Sequence, residues 1–141
     1  MSGDPLAAAL AGEHAAIWGY GVAGAHLTGD DLDLARSAES AHRDRRDALL
    51  VRLSGAGTPP PAAAPAYALP FPVTDEASAV RLVTLLEERA AALWRAAVPA
   101  TTGEGRRLPV EALVDCAVRA TRWRRAAGQD PATVALPGAP A

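Results

Sequence analysis

Between Thr58 and Val73 the chain carries six prolines, Pro59, Pro60, Pro61, Pro65, Pro70 and Pro72. Each removes a backbone donor and fixes φ at about −65°, so the stretch can be neither helix nor central strand. Extended, polyproline-like chain is the expectation. The sequence on either side reads as a helical pair. Asp4 caps and Pro5 opens helix 1, which Gly29-Asp30 stops; Asp30 or Asp31 opens helix 2, which runs to about Leu53 and closes at Ser54-Gly55-Ala56-Gly57. Thr74 is the expected cap of helix 3, which ends before Pro99. Residues 99–108 connect it to helix 4, begun by Pro109 and ended by Gly128 and Pro131. Composition agrees: only 4% of residues are aromatic and Ile17 is the single isoleucine, whereas alanine (35 residues) and arginine (14, with no lysine) are strong helix formers.

The length of the proline-rich connection decides the expected topology. A helix of about 22 residues is about 33 Å long, and about 18 residues of extended chain reach about 55 Å. The connection can therefore cross the full length of a bundle; a long loop that doubles back is the alternative, and six stiffening prolines favour the crossover. Two short hairpins joined by one long crossover form the ferritin-like arrangement of four helices. Residues 1–128 are expected to form this all-α domain, with 129–141 a loose Pro/Ala-rich tail.

Several function classes are disfavoured at this stage. A net charge of −2 lacks the basic footprint of a nucleic-acid binder. One cysteine, Cys116, excludes an internal disulfide and a multi-cysteine zinc site, and is expected to be a small buried hydrophobe. Pro5 to Leu27 holds one formal charge, Glu13, but is built of alanine and glycine around Glu13-His14, so no membrane span is expected. The Met-Ser-Gly-Asp opening has no basic region of a secretory signal, and a cytoplasmic protein is the expectation. No phosphate loop, nucleophile elbow or zincin motif occurs.

The informative residues are polar ones inside apolar stripes. Helix 1 presents Leu6, Leu10, Glu13, Ile17, Tyr20, Gly24 and Leu27; helix 2 presents Leu32, Ala35, Glu39, His42, Arg46, Leu49 and Leu53; helix 3 presents Val80, Val83, Glu87, Ala90 and Trp94. Buried carboxylates cost several kcal/mol each unless paired or metal-bound, so Glu13, Glu39 and Glu87 call for one shared explanation. One is a metal site. Glu39 and His42 form a Glu-x-x-His element, to which Glu13 and Glu87 add carboxylates from two other helices, as in di-iron and di-manganese bundles. Helix 4 offers no second such element, only Asp115-Cys116-Ala117-Val118, with Asp115 on a face that reads as solvated beside Glu111, Arg119 and Arg122. That limits the expectation to a single iron or manganese ion, or none. The other explanation is an ion-pair cluster in which Arg46, with Arg43 or Arg45, neutralises the carboxylates. An antiparallel hairpin turning near residue 28 or 29 sets Glu13 opposite residues 43 to 46, which favours this explanation.

His14 reads as a contact histidine, His26 as solvated, and Trp18, Trp94 and Trp123 as packing anchors. Helix 1 is apolar or small on two faces, so something outside the four-helix body is expected to cover it. A two-fold homodimer contact through Trp18, Gly21 and Ala25 is one candidate, and an inner position within the monomer is the other.

The strings Glu13-His14-Ala15-Ala16-Ile17-Trp18-Gly19-Tyr20-Gly21-Val22, His42-Arg43-Asp44-Arg45-Arg46-Asp47, Tyr67-Ala68-Leu69-Pro70 and Pro72-Val73-Thr74-Asp75 resemble an actinobacterial ferritin-like domain family of unknown function, over residues 6 to about 125. The resemblance implies a four-helix ferritin-like bundle, often dimeric, with no established reaction. It also implies ancestral metal ligation at Glu13, Glu39, His42 and Glu87. The functional expectation is a binding or scaffold protein with a degenerate metal site. The alternative is an iron- or manganese-dependent oxidoreductase or iron-handling protein, and a third is a small-molecule pocket within the polar core.

Overall fold

In the computed structural model, which describes residues 3–140, four helices form the body and no strand occurs among the described residues. They are α1 (Pro5–Gly24), α2 (Gly29–Gly55), α3 (Glu76–Ala97) and α4 (Arg107–Ala126), with a short 3-10 turn, Gly103–Arg106, before the last. Residues 1–2 and 141, the extremes of the expected domain and tail, lie outside the described residues.

The helix ends follow local chemistry. The Asp4 carboxylate accepts from the Leu6 N–H at 2.8 Å, and Pro5 takes the first helical position. α1 stops at Gly24, earlier than the sequence reading, because the next amides, His26 and Leu27, bond back three residues and tighten the last turn. Asp75, not Thr74, caps α3: its carboxylate accepts from the Ser78 N–H at 2.8 Å while the Ser78 hydroxyl accepts from the Asp75 N–H at 3.1 Å. A charged acceptor makes the stronger cap. α4 begins two residues before Pro109, a position proline tolerates because first-turn amides have no helical partner.

Two apolar clusters fill the interior. The first gathers Tyr20 and Ala23 from the end of α1, Ala35 and Ala38 from the start of α2, Val80, Val83 and Leu86 from the start of α3, and Trp123 from the end of α4. The second gathers Leu10, Leu49, Leu53, Trp94, Ala97, Ala112 and Cys116 from the opposite helix ends. α1 and α4 therefore run one way and α2 and α3 the other, and residues 56–75 lead from the second cluster to the first. α1 packs against α2 and α3, and α3 against α4, while α2 and α4 barely touch. Arginines span that seam: Arg45 Nη1 donates to Asp115 Oδ2 at 2.7 Å and Arg52 Nη1 to the Gly105 carbonyl at 2.7 Å.

The proline-rich segment lies as a strap on α1. His14 Nε2 donates to the Pro61 carbonyl at 3.1 Å, and the Tyr67 ring sits 5.8 Å from Trp18. This supplies cover for the outer face of α1 from within the chain, leaving Gly21 and Ala25 exposed. His14 is the expected contact residue. The tail is not loose along its described length. Arg124 Nη1 donates to the Ala132 carbonyl at 3.2 Å and Arg95 Nη1 to the Pro137 carbonyl at 3.3 Å. Gly138, at φ +77°, approaches α3 so closely that a Cβ would stand 2.6 Å from the Ala91 carbonyl oxygen. No helix among the described residues is long and apolar enough to cross a membrane.

Leu49 and Val51 sit two residues apart on α2 but face opposite ways, Leu49 fully buried and Val51 76% exposed. Leu49→Ala is expected to cost about 2–5 kcal/mol in urea unfolding, and Val51→Ala to stay within about 0.5 kcal/mol of the parent.

Candidate functional site

Between the two apolar clusters lies a buried polar layer to which all four helices contribute. His42 of α2 is at its centre. Its Nδ1 donates to Glu13 Oε2 of α1 at 2.5 Å, and its Nε2 donates to Glu87 of α3, at 2.9 Å from Oε2 and 3.1 Å from Oε1. Both carboxylates have further donors. Trp94 Nε1 donates to Glu13 Oε1 at 2.8 Å, and the Tyr20 hydroxyl to Glu87 Oε2 at 2.5 Å. Trp123 Nε1 of α4 in turn donates to the Tyr20 oxygen at 2.8 Å. His42 and Glu87 are 0% exposed and Glu13 is 1% exposed.

A second cation stands at the edge. Arg119 Nη1 of α4 is 4.0 Å from Glu87 Oε1, and the same guanidinium grips Asp115 at 2.9 and 3.2 Å. Asp115 also accepts from Arg45. The layer and its rim thus set Glu13, Glu87 and Asp115 against His42, Arg119 and Arg45. Such a network is stabilising when every member is satisfied and costly when one is missing.

The structure brings together Glu13, His42 and Glu87 and leaves out Glu39 and Arg46. Glu39 accepts from Arg43 at 2.9 Å on the surface, and Arg46 Nε donates to Asp47 at 2.9 Å, also near solvent. Helical geometry explains both. Taking His42 as zero and turning about 100° per residue, the buried α2 residues Ala35, Ala38, Leu49 and Leu53 span roughly −40° to +20°. Arg46 and Glu39 fall at roughly +40° and +60°, beyond the edge of the buried arc, and Arg45 at roughly −60°, toward α4. The expected neutralising role of Arg46 passes to His42 itself and to Arg119. The helix 4 face read as solvated is the one that closes the layer, with Arg119 only 9% exposed.

The sequence reading places Tyr20 and Trp94 in the inward stripes and Trp123 among the packing anchors without giving any of them a donor role in the network, and it sets Arg119 on a solvated face. The signal for the first three is chemical, since a buried tyrosine or tryptophan needs a partner for its O–H or N–H. Cys116 is buried beside the layer, and burial, with the nearby Glu87 and Glu13 charges, pushes its thiol well up, which makes it a poor nucleophile.

Burial by itself pushes the His42 imidazolium toward losing its proton. The hydrogen bonds and charges of Glu13 and Glu87 outweigh it and raise the pKa from 6.5 to about 9. Both ring nitrogens are then N–H donors at neutral pH, as the two carboxylates require. Burial and Glu87 likewise push the Tyr20 hydroxyl well up, so it stays protonated and donates. Because the folded His42 pKa lies above the unfolded one, its stabilisation is complete below about pH 6.5 and is lost as pH rises through about 9. The loss is on the order of 3 kcal/mol. Urea midpoints are expected to fall across this range at constant slope. His42→Gln is expected to flatten the profile up to about pH 8, above which the buried Cys116 thiol adds a fall of the same sign, and to cost about 3–5 kcal/mol at neutral pH, by leaving two carboxylates without their cation.

With this geometry in hand, comparison with known proteins is informative about kinship and silent on activity. No curated protein matches the chain. Over 86% of its length it is similar to the crystal structure of a conserved hypothetical protein, rv2844, from Mycobacterium tuberculosis, with 93% of that chain covered, 42% sequence identity and a TM-score of 0.84. A family model described as a domain of unknown function, DUF4439, matches residues 5–141, and the chain belongs to that family.

Proposed function

We propose that the protein is a ferritin-like bundle in which a hydrogen-bonded ion cluster stands where a di-metal centre would be, and that it serves as a non-catalytic binding or scaffold protein. The helix directions support the ferritin-like part: α1 and α4 oppose α2 and α3, and residues 56–75 link opposite ends of the bundle. The observation that carries the functional part is saturation. Glu13 presents both carboxylate oxygens, and Glu87 both of its own, to donors of the protein itself.

A di-metal centre of this class draws four carboxylates and two imidazoles from its helices. Here the buried set is two carboxylates and one imidazole, Glu39 lies outside it, and α4 presents Arg119 instead of a ligand. These residues do not fit two metal ions. A single iron or manganese ion, held by Glu13, His42 and Glu87 for redox chemistry or iron handling, is the competing proposal. Convergence of the three from separate helices favours it. It requires His42 to surrender a proton and the carboxylate bond at the ligating nitrogen, and it sets a dication beside a guanidinium.

The two are separated by metal analysis of protein purified without chelators, together with melting in excess manganese(II) or iron(II). The expected result is far less than one metal per chain and no upward shift in Tm, with Arg119→Met destabilised by about 1–3 kcal/mol through its unpaired acidic neighbours. Stoichiometric iron or manganese that Glu87→Ala abolishes would sink the ion-cluster proposal.

A further inference from the structure

Away from the polar layer, a cavity of about 170 Å³ lies between α1, α3 and the proline-rich strap. Its floor is Leu82 and Leu86 of α3, both buried; Trp18 of α1 and Tyr67 of the strap line it, and Arg89 of α3 also borders it. Gly19 lets Leu86 pack directly against the α1 backbone, where a Cβ would stand 2.5 Å from Leu86 Cδ1. The strap, stiffened by Pro65 and Pro70, passes over the cavity without filling it.

The Trp18 and Tyr67 rings, with centroids 5.8 Å apart and inclined at 56°, touch one another and form one wall of the cavity. The Tyr67 hydroxyl accepts from the Ala64 N–H at 3.0 Å, so the ring is oriented by the strap itself and needs no anchor inside the cavity. Arg89 is exposed at the border of the cavity and makes no ion pair among the described residues, so its guanidinium is available to an anion there. An apolar cavity of about 150 Å³ holds one benzene ring. We infer that this cavity binds a small monocyclic aromatic carboxylate, with the ring against the wall made by Trp18 and Tyr67, over the leucine floor, and the carboxylate on Arg89. This site is independent of the polar layer and of the proposal made for it.

Phenylacetate is a suitable probe, with phenylacetamide as its neutral counterpart of the same shape. In a two-dimensional NMR titration of the whole chain, phenylacetate is expected to move the Trp18 indole signal saturably while leaving those of Trp94 and Trp123 in place. The Trp18 signal is the one absent from Trp18→Leu. Arg89→Gln, a surface substitution that leaves the core intact, is expected to weaken phenylacetate by about tenfold and to leave phenylacetamide unchanged. Trp18→Leu is expected to weaken both. Absence of a saturable Trp18 shift would overturn the inference, as would equal affinity for acid and amide or indifference of the acid to Arg89→Gln.

Discussion

The His42 imidazolium, clasped between Glu13 and Glu87, is the contact on which the bundle depends. Its two ring nitrogens point outward from one rigid plane, so a single side chain ties α2 to α1 and α3 at once. Tyr20 and Trp123 extend the tie to α4. The apolar layers on either side contain much alanine, including Ala23, Ala35, Ala38, Ala90 and Ala112. Alanine surfaces interlock weakly, and helices faced with them can slide past one another at little energetic cost. A slip of α2 by one turn, about 5.4 Å, would carry His42 out of reach and strand two buried carboxylates. Register is therefore set by the polar layer and adhesion by the apolar ones.

Much of this was legible in the sequence, within a definable limit. The helices, the extended connection and the inward placement of Glu13, His42 and Glu87 follow from proline positions and a period of 3.6. Glu39 and Arg46 were misplaced because periodicity assigns a stripe without its edges. On α2 the buried arc is about 60° wide, and beyond its edge the neighbouring helix decides: Arg45 on the α4 side pairs with Asp115, while Arg46 on the other side turns to Asp47 near solvent. Arg119 was misread for a different reason. An acid and an arginine four residues apart, Asp115 and Arg119, look like a solvated surface pair, and only the approach of Glu87 from α3 makes the guanidinium a member of the core.

The absence of lysine takes on meaning from the loops. Arg52, Arg95, Arg106 and Arg124 each donate to a backbone carbonyl: Gly105, Pro137, Thr101 and Ala132. A chain rich in proline, or one leaving a helix, has carbonyls without amide partners. A guanidinium carries five donors on a long apolar stem and can reach such an oxygen while keeping a carboxylate, as Arg124 does with Glu88. Four of the fourteen arginines thus fasten irregular backbone. The tail that composition alone marks as loose is pinned by Arg95 and Arg124. The strap is held by other means, through His14, the Trp18–Tyr67 contact and the seat of Arg81 over Phe71.

The choice of cation in the core also determines what the fold answers to. Where two glutamates on facing helices are neutralised by metal ions, the neutralising charge can dissociate, and bundle integrity is linked to metal concentration. Where a histidine and an arginine neutralise them, the charge is part of the chain and cannot be removed by chelation. The arginine holds its proton at any pH a protein experiences. The histidine does not, and its proton is retained by the same carboxylates that it serves to compensate. On the ion-cluster proposal the layer is consequently indifferent to metal supply and sensitive to alkali, with His42 the one member of the cation set able to make it so.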